Sequence, residues 1–110
     1  SATPAVAGTA HLIIGKAYME EAAGLKGDAS KEKLVDAVLS FLRVHVLYGK
    51  DKRTEPEALY RAGECFLTLS KLKDRGLDRM RAQTMFGLVV SNYRTNRWAA
   101  LAQESQSKIK

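Results

Sequence analysis

The sequence predicts an all-α fold of about five helices, paired into antiparallel hairpins that stack on one another. Three observations carry this. Apolar residues recur at three- and four-residue steps along four long segments. Turn and cap residues fall between those segments, and no stretch alternates as a strand would. A pattern of small and aromatic residues appears twice, 45 to 48 positions apart.

The first helix is expected from Pro4 to Leu25, with Ala7, Ile14, Tyr18, Ala22 and Leu25 on its apolar side and Gly27 as its stop. The second is expected from Ser30, as N-cap, to Tyr48, before Gly49. Its main stripe is Leu34, Ala37, Val38, Phe41, Leu42, His45 and Tyr48, and Val35, Leu39 and Val46 form a second apolar face. A helix that apolar requires cover on more than one side.

The third helix is expected over 55–72. Thr54 and Glu57 have capping-box spacing, and Pro56 falls in the first turn, where its missing N–H costs nothing. Leu59, Ala62, Gly63, Phe66 and Leu69 form its buried face. The fourth is expected from Asp78, as N-cap, to Tyr93, with Ala82, Met85, Phe86, Val89 and Val90 along one side. A short closing helix follows Thr95 and Asn96, carries Trp98, Leu101 and Ala102, and frays from Gln103 to Lys110.

With 110 residues and 45% hydrophobic content, the chain suits one domain. We read repeat one at about 8–49, repeat two at about 55–94 and the closing helix at about 96–109. No apolar run approaches the ~20 residues that span a bilayer. The single cysteine, Cys65, cannot form an internal disulfide and reads as a small buried side chain. The net charge of +6 would draw the protein towards acidic partners. Its carriers are dispersed, however: Lys50, Lys52 and Arg53 in one loop, Lys71, Lys73 and Arg75 in another, Arg94 and Arg97 at a third.

The repeat is the most informative feature. Ala37, Phe41 and Tyr48 return 45 positions later as Ala82, Phe86 and Tyr93. Gly15 and Tyr18 return 48 positions later as Gly63 and Phe66. One hairpin cannot bury its apolar face alone, so neighbouring hairpins stack and share a core. Each glycine lets the paired helix approach closely.

This pattern resembles the tetratricopeptide repeat: apolar-Gly-x-x-aromatic in a first helix, then Ala-x-x-x-Phe in a second. The run from Asn92 to Ala99 is similar to the junction between two such repeats. Trp98, Leu101 and Ala102 match the family's Trp-x-x-Leu-Gly opening, with alanine for glycine. The likeness covers roughly Thr9 to Ala102 and is strongest to repeats of bacterial cell-envelope proteins, which implies an exported or periplasmic location. The sequence departs from the family in three ways. The family period is about 34 residues, and the extra length here is expected between helices, at 21–30 and 71–78. Gly49 and Arg94 stand where the family has proline, and His11 and Leu59 where it has tryptophan. Two repeats fall short of the roughly three that a stable array needs. The chain is therefore expected to be a piece of a longer array or to self-associate.

No constellation for catalysis is legible. The glycines are scattered and form no phosphate-cradling loop. His45 lies on an apolar stripe and reads as a hydrogen-bonded core histidine, and His11 as a packing residue. No enzyme activity, metal or cofactor is expected. The resemblance implies that the hairpins stack as a right-handed superhelix, and that the chain is a protein-interaction scaffold that takes a peptide or helix of a partner. Its groove would be lined by Thr9, Leu12, Lys16 and Met19 from the first helix and by Glu57, Tyr60, Glu64 and Leu67 from the third. The alternative is a basic module that binds nucleic acid through surface lysines and arginines. Phe41, Phe66 and Phe86 stand against it, being placed for packing and not for base stacking.

Overall fold

A computed structural model describes residues 3–72 and 76–109. Five α-helices follow one another: α1 (Pro4–Ala23), α2 (Gly27–Tyr48), α3 (Glu55–Leu72), α4 (Gly76–Asn92) and α5 (Arg97–Lys108). Each helix packs against the next, and α3 also touches α1 and α5. The chain thus forms two layers, α1, α3 and α5 in one and α2 and α4 in the other. Its extents of 38 × 30 × 19 Å agree, since the shortest is that of two helices of about 10 Å each. This is the expected stack of antiparallel hairpins.

Helix α3 joins two cores. Ala58, Ala62, Cys65 and Leu69 pack with Leu34, Ala37, Val38, Phe41 and Val44 of α2. On another side of the same helix, Leu59 packs with Ala82, Phe86 and Val89 of α4 and Ala99 and Ala102 of α5. Phe66 borders both. The repeat's glycines sit where the hairpins close. A Cβ on Gly15 would stand 2.5 Å from the Phe41 ring, and a Cβ on Gly63 2.5 Å from the Phe86 ring. Both rings are fully buried. Each aromatic therefore fills the space that its glycine leaves open, at the same place in each hairpin.

The connections differ from the sequence reading, each for a local reason. Gly27, read as a stop, opens α2 with φ +60°, a conformation that glycine adopts without steric cost. Ser30 lies inside α2, and its hydroxyl donates to the Ala22 carbonyl at 2.9 Å. It closes the end of α1 instead of opening α2. Thr54 and Glu57 form no capping box. The Thr54 hydroxyl lies against Gly8, and Glu57 turns to Lys16 and Arg61. Asp78 lies in the first turn of α4, buried, with Arg81 at 3.0 Å.

Helix α5 runs on to Lys108, and Ile109 packs on the second core, so the expected fraying from Gln103 does not occur over the described residues. The extra repeat length is helix and not loop in the first hairpin, where α1 and α2 have 20 and 22 residues and only 24–26 join them. Residues 73–75 of the second expected insertion lie outside the described residues. The second apolar face of α2 is uncovered, with Val46 75% exposed and Val35 and Leu39 also open.

Candidate functional site

The layer of α1, α3 and α5 carries a continuous band of charged and aromatic side chains. Pro56 and the three- and four-residue steps that follow hold α3 so that Glu57, Tyr60, Arg61 and Glu64 share one side. Glu57 Oε2 meets Lys16 Nζ of α1 at 3.0 Å and Arg61 Nε at 3.3 Å. Arg61 Nη1 reaches Glu64 Oε1 at 2.9 Å. One guanidinium therefore bridges two carboxylates seven positions apart, and Lys16 ties α1 into the set. Burial acts to lower the Arg61 pKa, but hydrogen bonds and charge from Glu64 and Glu57 outweigh it and hold it above its ordinary value.

The band continues onto α5. Asn96 accepts from the Trp98 N–H at 2.9 Å, and this cap fixes the start of the helix. The Trp98 ring lies 5.5 Å from the Tyr60 ring, which in turn lies 5.7 Å from Phe86. Arg61 sits 5.2 Å and Arg97 4.5 Å from the Trp98 centroid, so the indole is flanked by two guanidiniums.

Of the eight residues expected to line a groove, the structure brings Lys16, Glu57, Tyr60 and Glu64 into this band. Met19 and Leu67 are half-buried and border the cores. Thr9 is exposed, and its hydroxyl donates to the Ala5 carbonyl of its own helix. Leu12 is a correction. It is 7% exposed and belongs to the core, because Gly15 draws α2 close to that side of α1. Sequence reasoning missed Arg61 and Trp98 as members. The signal for Arg61 was its place four residues after Glu57 and three before Glu64. For Trp98 it was its place in the run expected, from the resemblance, to open a further repeat.

A second polar knot lies at the α2–α3 corner. Glu55 is buried and takes the Tyr93 hydroxyl on Oε1 at 2.5 Å, while His45 Nδ1 lies 3.2 Å from its Oε2. His45 is thus the hydrogen-bonded, partly buried histidine expected from its stripe. Burial first, then the hydrogen bond to Glu55, push the Tyr93 hydroxyl above its ordinary range. Tyr48, its repeat counterpart, stacks on His11 at 5.9 Å. Cys65 is fully buried, and burial pushes its thiol up to about 12.

The basic loops are partly engaged. Arg53 pairs with Asp51 at 3.2 Å, and the Arg53 backbone N–H holds the Asp51 carboxyl below its usual range. Arg97 lies on Trp98. Among the described residues, no group of three or more His, Cys, Asp or Glu side chains converges as a metal site. No described helix is long and apolar enough to cross a membrane. Comparison with protein-family models, curated proteins and solved structures finds no match to this chain.

Proposed function

We propose that the chain is a tetratricopeptide-like, non-catalytic interaction module that takes a peptide or helix of a partner protein on the face of α1, α3 and α5. The observation that carries this reading is the band from Lys16 through Glu57, Arg61 and Glu64 to Tyr60 and Trp98. Tyr60, Trp98 and Arg61 are of the types enriched at protein interfaces, where tyrosine, tryptophan and arginine supply most of the binding energy. Both carboxylates are already paired within the band. A ligand would therefore exchange existing ion pairs for its own, which favours selectivity over raw affinity.

The partner that fits has one aromatic or aliphatic anchor to lie on Tyr60 and Trp98, flanked by charges that address Lys16 and Glu64. The double substitution Tyr60→Leu and Glu64→Gln tests this. It is expected to keep the helical circular dichroism of the parent and to weaken partner binding at least tenfold. Unchanged binding with an intact fold rules the reading out.

A further inference from the structure

The outward side of α1 carries four small or aliphatic residues, Val6, Ala10, Ile13 and Ala17, all exposed, with Val6 at 59% and Ile13 at 60%. Their steps of four, three and four place them in one line along the helix. The repeat shows what such a line does elsewhere in the molecule. Thr54, Ala58 and Cys65, which stand 48 positions after Val6, Ala10 and Ala17, are buried, the latter two against α2. In α3 these three positions form a helix-packing seam, while the fourth, Arg61 at the place of Ile13, is half-buried in the charged band; in α1 no helix covers the line among the described residues.

We infer that a second copy of this chain covers it, with the two α1 helices antiparallel about a two-fold axis. The line is symmetric about the point between His11 and Leu12. Reversing it brings Val6 onto Ala17 and Ile13 onto Ala10. Each large side chain then meets an alanine, the alternation that lets two helices interdigitate closely.

Charge agrees with this direction. Helix α1 has no acidic residue in its first turn and no basic residue in its last, so Glu20 near its C-terminal end opposes its own macrodipole. In the antiparallel pair, Glu20 lies over the N-terminal end of the partner helix. Arg53, paired with Asp51, borders the line beside Val6 and Ala10 at that end, where its guanidinium would meet Glu20 as a second carboxylate. A parallel pair would instead set Glu20 against Glu20 and Arg53 against Arg53.

The interface is separate from the band of Tyr60 and Trp98, so either can fail without the other. The first test is sedimentation equilibrium of the whole chain over a concentration series. The expected result is a mass that rises from 12.1 kDa to twice that value. Ile13→Glu, at an exposed position, is expected to remain monomeric with unchanged helical content. A parent that stays monomeric to its solubility limit, or an Ile13→Glu variant that still dimerises, overturns the proposal.

Direction is read by oxidative cross-linking. Val6→Cys mixed with Ala17→Cys is expected to give the mixed disulfide. Val6→Cys alone is expected to give none, since the two sites would lie about 16 Å apart along the pair. Buried Cys65 does not compete. Efficient linking of Val6→Cys to itself overturns the antiparallel register.

Discussion

The Phe86 ring occupies the place of the side chain that Gly63 lacks, 2.5 Å from where a Cβ would stand, and Phe41 does the same over Gly15. This pairing holds each hairpin shut. It also ties the repeat in the sequence to a contact in the fold, since both pairs arise from the same small-aromatic pattern.

Gly63→Ala is therefore expected to destabilise the protein. Overpacking against a fully buried ring costs about 1–3 kcal/mol, against which the alanine regains roughly 1 kcal/mol of helix propensity. Replacing Phe86 by leucine in the same chain is expected to recover part of the loss. Gly24→Ala is the control, because the nearest atom to its Cβ is 3.6 Å away and its φ is −89°. Urea unfolding monitored by circular dichroism reads all three.

Tyr93→Phe removes one of two partners from a buried carboxylate and is expected to cost about 1–3 kcal/mol. The same contact gives a pH signature. The Tyr93 hydroxyl stays protonated in the fold at pH values where an unfolded tyrosine, with its ordinary value of 10.0, ionises. The unfolded state then binds fewer protons, so stability falls as pH rises above about 10. Thermal melts between neutral pH and pH 11 are expected to show a steeper alkaline decline in the parent than in Tyr93→Phe. Equal slopes would mean that the hydroxyl does not favour Glu55 over water.

Cys65 is expected to be unreactive in the native protein. Its thiol is fully buried and pushed up to about 12, so little thiolate exists at neutral pH. A thiol reagent such as dithionitrobenzoate is expected to react at a rate set by unfolding, and promptly in denaturant. Rapid native labelling would contradict the packing of α3 on α2.

The extent to which the sequence disclosed the fold follows the range of each interaction. The limits of α3 and the buried state of Cys65 rest on spacing within one helix, which periodicity displays directly; the repeat marked Gly15, Gly63, Phe41 and Phe86 as packing residues, but that each glycine faces its phenylalanine is a contact between two helices. The opening of α2 was misplaced because the Ser30 hydroxyl serves a carbonyl eight residues earlier in a different helix. An N-cap and a cross-helix cap look alike in sequence. Leu12 was placed in the groove because counting from Gly15 gives direction around a helix, but not how far α2 wraps over it. The bond from Tyr93 to Glu55 spans 38 positions, and no local pattern announces it. Arg61 was overlooked for a different reason. Its role comes from two acids and an indole that only the folded chain assembles.

Trp98 offers an optical probe of the proposed face. It is the only tryptophan, half-buried, and flanked by Arg61 and Arg97. A ligand that seats on the band is expected to displace one guanidinium and shift the emission maximum. Arg61→Met is expected to change the starting spectrum, leave the helices intact and reduce the shift on binding. A bound partner that leaves Trp98 emission unaltered would place binding elsewhere on the surface.

The most direct test of the interaction reading is capture from an extract of the protein's own source cells with the purified chain, at low and at high salt, in parallel with the Tyr60→Leu, Glu64→Gln variant. On that reading, a discrete protein is expected to survive high salt on the parent and to be lost from the variant. Retention of nucleic acid alone, released by salt, would contradict it and assign function to the basic loops. Equal retention of a protein by parent and variant would contradict it by removing the band of Tyr60 and Glu64 from the binding surface.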